Sequence, residues 1–131
     1  MSDVVIKSSR FEFSETVQRL TAAIGDAGNT AFADIDQSAA AQSAGLSLRP
    51  TRLLVFGNPK GGTPLMDAFP LAALDLPLKL LVWEEHGATQ VAYTPPSAIA
   101  ARYGVTGKDA QIAGMTHALE TIVASVAVVR T

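Results

Sequence analysis

The chain has 131 residues, a net charge of -2, 48% hydrophobic and 17% charged residues, and no cysteine. That length suits one domain with a single core, and with only 6% aromatic residues the core must be filled by Ala, Leu, Val and Ile. The missing cysteines exclude a disulfide framework, a thiolate nucleophile and a cysteine zinc site, while Lys and Arg residues scattered singly offer no patch for nucleic acid.

Asp3 to Ser8 carries a β-branched run that predicts a strand, without the basic and long apolar regions of a secretory signal. Ser14 then offers an N-cap, and Val17, Leu20, Thr21 and Ile24 trace one apolar stripe of a helix ending at Gly25 or Gly28. Thr30 to Asp36 alternates Phe32, Asp34 and Asp36 against Ala31, Ala33 and Ile35, which predicts a half-buried strand. Asp36 caps a short Ala-rich helix from Gln37 to Ala44, closed by Gly45.

All seven prolines lie between Pro50 and Pro96, so turns concentrate in the middle of the chain. Thr51 to Phe56 reads as a buried strand running into the glycine-rich loop Gly57 to Thr63. Thr63 is then an N-cap and Pro64 the first residue of a helix with Leu65, Met66 and Phe69 on its apolar side. Leu78 to Glu85 and Thr89 to Thr94 are strands joined at His86-Gly87 as a hairpin. Ser97 to Tyr103 forms a short helix. A longer helix, with Asp109 as its cap, carries Ile112, Met115, Thr116, Leu119, Ile122, Val123 and Val126 on one stripe. Its most apolar stretch, Thr121 to Val129, is far short of the roughly 20 residues that span a bilayer. A cytoplasmic protein without membrane contact is expected. Grouped strands with a terminal helix indicate α+β: a mainly antiparallel sheet, helices on one face, in β-α-β(4)-α order.

The wording of the middle of the chain is specific: Phe56-Gly57-Asn58-Pro59-Lys60, Gly62-Thr63-Pro64-Leu65-Met66, Leu74-Asp75-Leu76-Pro77-Leu78-Lys79 and Trp83-Glu84, with Phe32-Ala33-Asp34-Ile35-Asp36 upstream. It resembles the bacterial domain of unknown function 302 family over about Thr30 to Tyr103. The resemblance implies a fold similar to the TATA-box-binding-protein class and a homodimer, and it brings no reaction. Gln37 departs from the pattern, standing where many relatives carry histidine, so no histidine ligand or base is carried over to that position.

Among candidate sites the loop Gly57 to Thr63 ranks first, because a strand leading through glycines into a helix start offers N–H groups and a positive dipole end to an anion, with Lys60 adding charge. The Walker pattern fails, since Gly62 is followed by Thr63-Pro64 rather than by Lys and Ser or Thr. A plainer account makes the glycines a tight turn, Thr63 a cap and Lys60 a solvated side chain. Asp34 and Asp36 share one strand face and are acid-base candidates, against the plainer account of a solvated strand end. Glu84 and Glu85 point to opposite faces and read as solubility charges. Lys79 shares its face with Leu81 and Trp83 and either lines a pocket or snorkels along the sheet. His86 and His117 read as exposed and lack ligand spacing, so no metal or cofactor is expected. The leading function is a non-enzymatic homodimeric domain binding a small anionic ligand near Asn58, Lys60 and Thr63. The alternatives are an enzyme using Asp34 and Asp36 with Lys79 or Tyr93, and a protein-interaction domain.

Overall fold

Alternating burial along three central strands organises the computed structural model, which describes residues 3–129. The elements are β1 (Val5–Ser8), α1 (Phe13–Asp26), β2 (Thr30–Asp36), α2 (Gln37–Ser43), β3 (Thr51–Gly57), α3 (Pro59–Ala68), a 3-10 turn (Pro70–Leu74), β4 (Leu78–Glu85), β5 (Ala88–Tyr93), α4 (Pro96–Arg102) and α5 (Asp109–Ala124). The strands pair antiparallel throughout, in the order β1-β5-β4-β3-β2. The α+β class and the strand-helix order are those read from the sequence.

Leu54 and Phe56 of β3, Leu78, Leu80 and Val82 of β4, and Val91 of β5 project to one face of the sheet. There Val17, Leu20 and Ile24 of α1 meet Leu119, Ile122 and Val123 of α5. Each large side chain so buried stabilises the fold by about 1.5–3 kcal/mol, so this layer is its main support. Alternation sends Leu53 and Val55, and likewise Leu81 and Trp83, to the opposite face. Neither α1 nor α5 covers that face. The hairpin turns through His86 at φ 53° and Gly87 at φ 78°, the paired positive φ of a type I′ turn.

Four local expectations are corrected. The helix α1 starts at Phe13, because Glu12 and not Ser14 caps it, its carboxylate accepting the Glu15 N–H at 2.7 Å. The strand β2 is exposed along its whole length rather than half-buried, since it is an edge strand, bulged between Ala31 and Ala33, that contributes nothing to the core cluster. Asp109 lies inside α5, following Lys108, which makes no side-chain cap bond. Finally, α3 begins at Pro59, well before Thr63.

Candidate functional site

Asn58 and Pro59 form an N-cap and first-residue pair as good as Thr63 and Pro64, and they come first in the chain. The Asn58 side-chain oxygen accepts the Lys60 N–H at 3.0 Å. The N–H groups of Gly61 and Gly62 both donate to the Asn58 carbonyl at 3.0 Å. Gly61 and Gly62 are thus helical residues at negative φ, not an open loop. The N–H donors that the sequence offered to an anion are closed within the helix itself. Thr63 lies within α3 with its side chain exposed, and Pro64 is an interior helix residue.

Beside this helix start, a cleft of about 600 Å³ opens between α3, the beginning of β2 and the outer face of α5. Asn58, Lys60 and Thr63 line it together. Its apolar walls come from Phe32, Met66, Leu76, Pro77 and Met115. Gln111 and Asn29 add amides. Room is made by small residues: Ala110, Gly114 and Ala118 of α5 recur every fourth position on the side that faces the cleft. Gly57 forms part of the floor, where an added Cβ would touch Pro77 at 3.4 Å and Phe32 at 3.7 Å. Leu65, Ile99, Val105 and Ile112 close with Leu76 and Met115, two residues of the cleft lining, into an apolar junction with no room for a water molecule.

Lys60 is the one charged side chain among the described residues that line the cleft, and it makes no ion pair within them. A lining of this kind can bury an apolar body while a negative or hydrogen-bonding end meets the ammonium and the amides.

The other sequence candidates lie elsewhere. Asp34 receives Arg52 Nε at 2.8 Å and Nη2 at 2.6 Å, and Asp36 lies 3.6 Å from Nη1 of the same guanidinium. The hydrogen bond that Arg52 donates to Asp34, together with the charges of Asp34 and Asp36, holds the Arg52 pKa above its ordinary value. The two carboxylates converge as read from the strand spacing, but on a cation of the neighbouring strand rather than on the cleft. Lys79 is exposed and does not line the cleft; its charge acts on Asp75, where it is the smallest of several influences. Tyr93 packs against the core, and burial raises its pKa, with the Glu120 charge adding to the effect. His86 and His117 are exposed. Among the described residues no group of three or more His, Asp and Glu side chains could hold a metal ion.

The sequence reading missed Phe32, Met66, Met115 and Gln111. The spacing of Ala110, Gly114 and Ala118 was the available signal, since it marks a helix face too small to fill a core.

The chain is similar to larger proteins and to a solved structure. It is 35% identical over 123 residues to the Fluoride-specific ion channel FluC 1 of Brucella suis, covering 92% of this chain and 48% of that protein. It is equally similar to the FluC 1 of Brucella abortus, covering 46% of that relative. The chain thus spans about half the length of the curated relatives it matches. Among the described residues no helix is long and apolar enough to cross a membrane. The crystal structure of an uncharacterised conserved DUF302 protein from Bacillus stearothermophilus superposes with a TM-score of 0.86 at 19% identity, covering 96% of this chain and 99% of that one, which shows a shared fold. The family model described as Domain of unknown function DUF302 matches residues 5–124, extending the resemblance from the middle of the chain to β1, α1 and α5. With all five strands of the sheet and both covering helices inside that match, the chain belongs to the DUF302 family.

Proposed function

We propose that this chain is a non-enzymatic ligand-binding domain that works as a cytoplasmic homodimer and holds a small anionic molecule in the cleft beside α3. The observation that carries the reading is the cleft itself, which gathers Asn58, Lys60 and Thr63 against apolar walls in a volume of about 600 Å³. That volume falls within the range of small-molecule sites. The carboxylate-enzyme reading has weaker support, because Asp34 and Asp36 are engaged by Arg52 away from the cleft. A thermal-shift screen against organic acids, nucleotides and phosphate tests the proposal. It requires at least one hit whose stabilisation disappears in Lys60→Ala, and a screen without such a hit would leave the cleft without a role.

A second reading is favoured by the relatives, in which a matching segment occupies about half of proteins named fluoride-specific ion channels. In this reading the chain acts together with a fluoride channel, with ligand occupancy of the cleft modulating it. Fluoride tolerance of a strain lacking the chain should fall. Unchanged tolerance would remove this second reading and leave the first intact.

A further inference from the structure

We infer that the cleft takes an organic acid with a bulky apolar body and a single negative charge, and does not take a bare inorganic anion; the inference rests on the ligand-binding reading above and narrows it to a chemical class.

A small hydrated anion is held by several convergent donors that replace its water. The start of α3 lacks them. Pro59 has no N–H, the Lys60 N–H is taken by the Asn58 side chain, and those of Gly61 and Gly62 go to the Asn58 carbonyl. What remains for charge is one exposed ammonium, on Lys60, with no carboxylate among the lining residues. One cation without an acid suits a single negative charge and disfavours a cationic ligand.

The walls argue for the apolar body. Phe32 is 52% exposed although it belongs to a strand, and its ring borders the cleft with Met66, Leu76, Pro77 and Met115. Apolar surface held open in a concavity gains most when a guest removes it from water. Two methionines make that wall adaptable in shape and favourable to aromatic guests. At Gly114, in the middle of the α5 face, an added Cβ would meet no atom within 4 Å, so space for the guest extends to the helix backbone.

Calorimetric titration of the full chain at neutral pH with naphthoate, octanoate, naphthamide and inorganic phosphate tests this. Naphthamide has nearly the shape of naphthoate without its charge. The carboxylates should bind, and naphthamide should bind about tenfold more weakly, as loss of one charge-assisted contact implies. Lys60→Met should lower naphthoate affinity by a similar factor while leaving naphthamide unchanged. Phosphate should give no binding heat, and Gly114→Leu should abolish naphthoate binding by filling the cleft. Equal affinities for naphthoate and naphthamide would overturn the acid assignment. Phosphate binding that Gly114→Leu abolishes would overturn the class while keeping the cleft as a site. Absence of binding by every probe would overturn the inference, and the thermal-shift screen then decides separately whether the cleft binds anything.

Discussion

Asp75 carries two donors on one carboxylate oxygen, Tyr103 Oη at 2.7 Å and Arg102 Nη1 at 2.6 Å. These bonds tie the end of the 3-10 turn to the end of α4 and so fix the approach to Leu76 and Pro77 in the cleft wall. The Tyr103 hydrogen bond, ahead of the Arg102 bond and charge, lowers the Asp75 pKa below its ordinary value of 3.8. A carboxylate depressed in the folded state contributes stability that is fully present above the unfolded pKa and fades as pH falls through the folded one. The same bond raises Tyr103 above 10.0, so its contribution is lost as pH rises through that higher value. Tyr103→Phe should therefore lower the melting temperature most between mildly acidic and mildly alkaline pH. Melting curves across pH check this, and a deficit that stays constant into strong acid would contradict it. Gly114 offers a second test at the same scale. Because it is helical, unstrained and faces open space, Gly114→Ala should stabilise the protein by about 0.5–1 kcal/mol in denaturant unfolding, while narrowing the cleft.

Among the elements, β4 and β5 were legible because their alternation and the His86-Gly87 turn agree, local chemistry and burial pointing the same way. The start of α3 was misread because two cap-and-proline pairs compete within a few residues, and glycine at Gly61 and Gly62 suggests a loop where the backbone is helical. The winning pair is the one whose cap also receives the next N–H groups, so Asn58→Ala should destabilise the fold by about 1 kcal/mol in chemical unfolding. An unchanged stability would show that the Asn58 cap bond contributes nothing to the fold. The exposure of β2 was not legible, since alternation in a strand says which residues share a face but not whether a helix covers it. The cleft was half legible: Asn58, Lys60 and Thr63 stood out by residue type, whereas Phe32, Met66 and Met115 look like ordinary core residues until the small face of α5 leaves them uncovered.

For the whole molecule, the sheet face opposite α1 and α5 carries apolar residues that neither of those helices covers. Leu53, Val55, Leu81 and Trp83 occupy its centre, with Ile6 and Ile35 towards the margins at 57% and 41% exposure. One sheet edge is partly closed, because the Val128 N–H donates to the Ser8 carbonyl at 2.9 Å and the Arg10 N–H to that of Val126 at 2.9 Å. The face itself remains open, and pairing with a second copy is the arrangement that the proposed homodimer calls for. Leu81→Lys, at the centre of that face, should convert the proposed dimer to a monomer in sedimentation equilibrium without loss of secondary structure. A wild-type chain that sediments as a monomer would contradict the homodimer proposal.

The central claim is that the cleft between α3 and α5 is where a ligand binds, and methyl NMR of labelled methionine tests it most directly. Met66 of α3 and Met115 of α5 both line it, and the Trp83 indole on the far sheet face serves as reference. On titration with naphthoate, both methyl resonances should shift along saturable curves with one common affinity while the indole resonance stays in place. Methyl resonances that remain fixed at saturating probe, or that move no more than the indole, would contradict the claim.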